Sequence, residues 1–234
     1  MIQFFAYEMD ATTALLQEDE FHHCIKVLRH QMGDIISISD GKGLSGKALI
    51  DKITKREAYL KVLEVTQHAP KDYTLTLVVA PPKNRSRWEW LVEKSVEIGV
   101  TDIIPLITQR SERQKVNLTR SSKVLRSAAL QSLRPFHPTL HKLQQFDKII
   151  DVQSSSVNTV NYIAHYQEEN QSLYQLQESS TSACILIGPE GDFTQSEIEA
   201  ANQKGFLSIN ISDNRLRTET AAIVACTLLA RMIS

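Results

Sequence analysis

Two polar loops near the end of the chain hold the residues best suited to chemistry. The first is Gly188-Pro189-Glu190-Gly191, which breaks off the apolar run 183–187. The second runs from Ser212 to Arg217, after Phe206, Ile209 and Ile211, and leads into Thr218 and Glu219. Glycine admits positive φ and lets a ligand approach the backbone, while proline fixes its own φ. Gly188 and Gly191 do not fit GxGxxG, and no Walker lysine follows. Glu190 and Asp192 would repel a pyrophosphate at this place. They suit a ligand with hydroxyls or a positive centre. Arg217 is permanently charged, and Glu219 is a carboxylate two residues on. Taken alone, Gly-Pro-Glu-Gly is equally a plain turn, because turns are rich in Gly and Pro.

The elements around these loops predict a crevice between them. Residues 183–187 are long enough for a buried strand and too short for a helix. Thr194 and Glu197 fit a capping box, and Gly205 fits the helix stop. Phe206, Ile209 and Ile211 form a second strand, and a last helix begins near Thr218. Two strand ends therefore each feed a special loop, where ligands sit in open α/β sheets. S-adenosylmethionine has ribose hydroxyls, an amino group, a sulfonium and no phosphate, so it matches the acids there.

Upstream, residues 73–80 read as a strand with a continuous apolar end, as in a buried parallel sheet. A basic loop, 81–87, leads to a helix with Trp88, Leu91, Ser95 and Ile98 at helical spacing, closed by Gly99. The tryptophans read as packing residues. Residues 102–107 are the next strand, and 118–134 a basic helix with an apolar stripe through Leu118, Leu125 and Ala129. A strand start and short helix follow over 140–151, a strand over 160–166, and a loop or short helix over 168–182. This alternation predicts an α/β sheet, mostly parallel. Residues 1–67 differ. A strand at 34–38, the hairpin signal Asp40-Gly41-Lys42-Gly43 and runs at 47–53 and 58–65 predict a small barrel. A helix near 19–28 puts Phe21, Ile25 and Leu28 on one face and His22, Lys26 and Arg29 on another. Residues 68–72 are the expected linker, giving domains 1–70 and 71–234.

The 234 residues carry a net charge of −1, which argues against an indiscriminate nucleic-acid binder. The distribution is uneven. Residues 108–134 carry a net +6, whereas 167–200 hold seven acids and no Lys or Arg. The first region can meet phosphates, or can be a solvated helix face. Cys24, Cys184 and Cys226 form no CxxC or disulfide framework, which points to a reducing compartment. The first ten residues lack a basic region before their apolar run, so no signal peptide is expected. The longest apolar run, 221–230, is too short to span a bilayer. A metal at His22-His23-Cys24 is not expected, since adjacent helical residues diverge. The predicted location is the cytoplasm.

GPEGDF at 188–193, followed after the second strand by NRLRTETA at 214–221, resembles the RsmE family. So do His22-His23 with Val27-Leu28-Arg29, Glu93-Lys94 with Glu97-Ile98-Gly99-Val100, and Gln131-Ser132 with Arg134 and Pro138. The likeness covers nearly the whole chain in order. It departs at Ser212, where the family often has Gly. The resemblance implies a SPOUT-type knotted α/β methyltransferase domain preceded by a small PUA-like β-barrel. It implies S-adenosylmethionine-dependent methylation of uridine N3 in the decoding region of small-subunit (16S) ribosomal RNA, within a 30S particle. It further implies a homodimer. The alternatives are methylation of another RNA position, and an RNA-binding ribosome-assembly factor with a vestigial cofactor pocket. Expected cofactor residues are Ile187, Gly188, Pro189, Glu190, Gly191, Ile209, Ile211, Ser212, Leu216, Thr218 and Ala221, mainly through backbone groups. Expected RNA contacts are His22, Lys26, Arg29, Lys83, Arg85, Arg110, Arg113 and Arg134, as one discontinuous basic track. Arg217 is assigned to stabilising the uridine anion. Glu219 is either the general base or a structural residue that holds Arg217 or caps the last helix.

Overall fold

A computed structural model describes residues 2–156, 158–167, 169–176 and 180–233. Its contacts divide the chain into two compact units, Met1–Pro70 with Arg126–His137, and Lys71–Leu125 with Pro138–Ser234. The first division falls in the expected linker. Arg126–His137 groups with the first unit although it lies far beyond that linker. No helix among the described residues is long and apolar enough to cross a membrane.

The first unit begins with β1 (Gln3–Phe5), β2 (Thr13–Leu16) and the short helix α1 (Glu18–Phe21). It continues with β3 (Ile35–Ser39), β4 (Leu44–Ile53) and β5 (Ala58–Gln67). The sheet order is β1-β3-β4-β5-β2. Tyr7, just past β1, exchanges two backbone hydrogen bonds with Leu15 of β2, at 2.8 and 2.9 Å. That bridge joins the two ends of the order, so the expected barrel closes and its edges disappear. The interior is apolar, built around Phe4, Leu16, Ile38, Ile50 and Leu60.

The expected helix over 19–28 is corrected. After α1 the chain widens into a π-helix, His22–Val27, with Leu28 N–H bonding the His23 carbonyl five residues back. The wider turn changes which side chains align. Phe21 and Cys24 are buried, whereas Leu28 is 37% exposed rather than packed below Ile25. His22, Lys26 and Arg29 remain exposed. Arg29 ends the turn in the left-handed region, at φ 60°, a conformation usual for a residue just past a helix.

The second unit opens with β6 (Thr74–Val79), α2 (Arg85–Ile98), β7 (Asp102–Ile107) and α3 (Leu118–Gln131), whose last residues belong to the first unit. There follow β8 (Thr139–Leu140), β9 (Gln144–Gln145), α4 (Phe146–Ser154) and β10 (Val160–Ala164). The unit ends with β11 (Gln171–Ser172), β12 (Ser182–Ile187), α5 (Gln195–Gln203), β13 (Leu207–Asn210) and α6 (Thr218–Ile233). A 3-10 turn, Leu173–Gln175, lies in the expected polar stretch; residues 168 and 177–179 of that stretch fall outside the described residues.

The sheet runs β11-β13-β10-β12-β6-β7-β8, with parallel pairings throughout, and β9 pairs with β7. A parallel sheet needs both faces covered, and the central strands are apolar without alternation for that reason. Helix boundaries follow local chemistry. Asn84 caps α2 by accepting from Ser86 and Arg87 N–H, and Gly99 ends the helix at φ 118°. Trp88 is buried at 1% exposure with its indole N–H on Ser121, whereas Trp90 stays 43% exposed.

Candidate active site

One cavity of about 750 Å³ opens at the carboxyl ends of β10, β12 and β13. This is where an open parallel sheet offers a crevice. Residues 187–190 with Asp192 form one wall, and residues 210–218 with Ala221 another. Ala164, His165 and Tyr166 add the end of β10, and Arg87 enters from the first turn of α2.

The turn after β12 is held from several sides. Asp192 N–H bonds the Pro189 carbonyl at 2.9 Å, closing a tight turn. The residue in the left-handed region is Asp192, at φ 62°, not Gly188 or Gly191 as glycine chemistry predicts. Aspartate tolerates that conformation because its short side chain bonds locally, here from Phe193 N–H to Oδ1 at 2.7 Å. Gly188 matters for a different reason. A Cβ there would lie 3.2 Å from the buried Phe193 ring. A Cβ at Gly191 would make an ordinary contact with Arg110 at 3.4 Å.

Two neighbouring loops brace this turn. The Glu190 carboxylate accepts from Lys83 N–H at 3.0 Å. Arg110 Nη1 donates to the carbonyls of Gly191 and Phe193, at 2.9 and 3.2 Å. The predicted capping box is present: Thr194 Oγ1 accepts from Glu197 N–H, and Thr194 N–H bonds Glu197 Oε2 at 2.8 Å. The other oxygen of buried Glu197 accepts from Gln109 N–H at 2.9 Å. From the opposite wall, Arg215 donates to the Glu190 carbonyl at 3.3 Å.

The expected cofactor residues are thus brought together, with two exceptions. Gly191 and Ile209 do not line the cavity; Ile209 is buried at 1% exposure in β13, and its carbonyl accepts from His165 N–H. His165, Tyr166, Asn210 and Asn214 also line the cavity, so side-chain groups as well as backbone groups are available there. The ends of strands were the signal for 164–166, because all three central strands open at this edge. Burial pushes the His165 imidazole below its ordinary range and favours the neutral ring, against the opposing pull of Asp192 toward the protonated one. Its Nε2 lies 2.9 Å from Ser208 Oγ.

Arg217 is exposed, lines the cavity, and has no side-chain partner among the described residues. Glu219 does not hold it. The Glu219 carboxylate, buried in the first turn of α6, pairs instead with Arg87 Nε at 3.4 Å. Arg217 precedes the helix and projects from the loop, so the ion pair forms between the first turns of α6 and α2.

Of the expected RNA residues, His22, Lys26, Arg29 and Arg134 lie in the first unit, and Lys83, Arg85, Arg110 and Arg113 in the second. Several have work inside the fold. Arg113 donates to the carbonyls of Lys115 and Pro82, Lys83 pairs with Glu112 at 2.7 Å, and Arg85 with Glu89 at 2.8 Å. Arg120 also takes Glu89 through two hydrogen bonds, at 2.6 and 2.9 Å. Arg126 stacks over Phe5 and donates to the Tyr7 hydroxyl. The basic run 108–134 is therefore partly structural. No cluster of His, Cys, Asp or Glu able to hold a metal occurs among the described residues.

Comparison with known proteins agrees with this geometry. Residues 69–230 match the model of the RNA methyltransferase domain, and residues 16–63 that of the RNA methyltransferase PUA domain. The chain belongs to this family of RNA methyltransferases. Over 90% of its length, covering 86% of the relative, it is 31% identical to the Ribosomal RNA small subunit methyltransferase E of Rickettsia conorii. Among solved structures, a "probable rRNA-methyltransferase" of Porphyromonas gingivalis superposes with a TM-score of 0.89 at 31% identity, over 99% of this chain and 98% of that one. A Ribosomal RNA small subunit methyltransferase E of Neisseria gonorrhoeae bound to S-adenosyl methionine superposes with a TM-score of 0.87 at 25% identity, over 99% and 97%.

Proposed function

We propose that this chain transfers a methyl group from S-adenosylmethionine to N3 of a uridine in small-subunit ribosomal RNA. The observation that carries the reading is one cavity lined both by the acid-bearing turn 187–192 and by the arginine-bearing loop 212–218. The residues fit the cofactor. The volume lies within the range of small-molecule sites. Glu190, Asp192 and Asp213 offer acceptors to hydroxyls and an amino group, and no lysine lines the cavity. Backbone groups of Ile187–Pro189 and Ile211–Ser212 would hold the base of the cofactor. When bound, S-adenosylmethionine supplies an electrophilic methyl group on a sulfonium that leaves as a neutral thioether.

The chain's part is to make the acceptor nucleophilic. Uracil N3 carries a proton, and its lone pair is tied into the ring's amide system. It attacks only once that proton leaves. A cation beside O2 or O4 favours the anion. Arg217, a guanidinium that spends no side-chain donor among the described residues, fills that role. Holding N3 in line with the methyl group contributes much of the remaining acceleration.

RNA contact draws on each unit separately: His22, Lys26 and Arg29 with Arg134 in the barrel, and the 83–85 and 110–113 loops in the second unit. We further propose a homodimer through α6. Ile223, Val224 and Leu228 are only half-buried by their own chain, and a second copy of the helix is the simplest cover for them. The knot near the C-terminus, the 30S particle as substrate and a cytoplasmic location complete the reading. The buried, unbridged Cys24, Cys184 and Cys226 support the last. Mass spectrometry of ribosomal-RNA nucleosides, with and without this protein, tests the function. A 3-methyluridine that depends on the chain is expected. Methylation at another atom, or none with RNA still bound, would replace the reading by another target or by an assembly role.

A further inference from the structure

Arg87 has no place in the roles above, yet the cavity holds it. The Asn84 cap fixes its backbone, since the Asn84 carboxamide oxygen accepts from Arg87 N–H at 3.4 Å. The Glu219 carboxylate fixes its guanidinium through Nε. The Glu219 side chain is 10% exposed, and among the described residues it pairs with Arg87 alone. A carboxylate so removed from water needs a cation held close. The Arg87 side chain is 38% exposed, and among the described residues its two terminal nitrogens have no hydrogen-bond acceptor. Three guanidiniums therefore line one cavity, and that of Arg215 is already engaged by the Glu190 carbonyl. Arg217 is untethered, and Arg87 is pinned by a buried anion.

We propose that Arg87 is the second cation on the target base and that Glu219 is a positioning residue that acts through Arg87, not the general base. The proposal rests on the uridine-N3 reading. Uracil N3 is flanked by O2 and O4. When N3 gives its proton to water, the charge left behind spreads over both oxygens. One guanidinium at each oxygen brackets that anion. The electron pair on N3 then forms the bond to the methyl carbon, while the carbon–sulfur pair withdraws to sulfur. A donor preset at each oxygen costs no reorganisation when charge develops, which is the reason to pin one of them. The same arrangement selects uracil. Cytosine presents an amino donor where uracil has O4, and a guanidinium facing it finds no acceptor.

Single-turnover methylation by the full chain across pH, with Arg87→Met, Arg87→Lys, Glu219→Gln and the Arg87→Met/Glu219→Gln pair, tests the inference. Cofactor affinity by calorimetry is the parallel readout. Arg87→Met is expected to slow methylation about 100-fold near neutral pH, as for loss of one preorganised donor. It should shift the alkaline rise of the rate to higher pH and leave cofactor affinity within about twofold, against a tenfold change per 1.4 kcal/mol. Arg87→Lys should recover part of the rate. Glu219→Gln should slow the reaction less, and the double variant should be no slower than Arg87→Met, because both changes disable one unit. Independent, multiplying losses would make Glu219 act by itself and overturn the proposal. So would an Arg87→Met rate and pH profile like those of the wild type. Loss of cofactor affinity in Arg87→Met would make Arg87 a structural or cofactor residue and overturn it as well. A wild-type chain that binds the cofactor but leaves uridine unmethylated would instead defeat the parent reading.

Discussion

Glu197 is the strongest test of how the cofactor turn is held. Its side chain is buried at 5% exposure, and its two oxygens serve three donors. Oε2 accepts from Thr194 N–H at 2.8 Å and from Thr194 Oγ1 at 3.1 Å. Oε1 accepts from Gln109 N–H at 2.9 Å. Glu197→Ala leaves two backbone N–H groups without acceptors. Each unmade bond costs about 1–3 kcal/mol, and the exposed Gln109 backbone falls at the low end because water can reach it. The sum is about 3 kcal/mol, which lowers the melting temperature of a domain this size by roughly 6–12 °C. Glu197→Gln keeps one acceptor oxygen, and about half that loss is expected from urea unfolding curves. There is a functional arm too. Gln109 precedes Arg110, which donates to the Gly191 and Phe193 carbonyls. A loosened 109–110 segment should raise the cofactor dissociation constant about tenfold by calorimetry, equivalent to 1.4 kcal/mol of lost ordering. A Glu197→Ala protein within 1 kcal/mol of wild type, or with unchanged cofactor affinity, would refute this account of the turn.

Three more outcomes follow from the structure. Gly188→Val should abolish measurable cofactor binding by pressing on Phe193 and displacing the turn, and binding equal to wild type would show that the turn absorbs the side chain. Arg29→Glu with Arg113→Glu should weaken RNA binding and reduce the slope of log affinity against log salt by about 2, with cofactor affinity unchanged; an unaltered slope would remove both from the RNA contact. Burial, with repulsion from Arg126 and Arg134, lowers the His137 imidazole from 6.5 to about 4. The unfolded chain therefore binds more protons between those values, so stability is full above pH 6.5 and falls by about 3 kcal/mol as pH drops toward 4. His137→Phe should flatten that dependence in urea midpoints measured at pH 7.5 and 4.5, and a slope equal to wild type would assign the acid sensitivity elsewhere.

Much of the site was legible along the chain. The apolar run 183–187, the Thr194–Glu197 capping box, the Gly99 and Gly205 stops and the hairpin at Asp40–Gly43 depend on neighbours a few residues apart. Their structure follows from local sterics and hydrogen bonding. The same holds for the two loops, whose residue types announced a ligand without a phosphate. What only the tertiary structure decided lies in contacts between distant segments. Arg110 is 81 residues from the carbonyl it braces at Gly191. No local pattern separates such a buttress from an RNA contact, because the same guanidinium serves either. A 3.6-residue period over 19–28 predicts a regular helix, but the wider π-turn moves Leu28 off the buried face. Arg87 and Glu219 sit 132 positions apart in the sequence. Their pairing required the first turns of α2 and α6 to meet, and that meeting is set by how a parallel sheet stacks its helices, not by either helix's own residues.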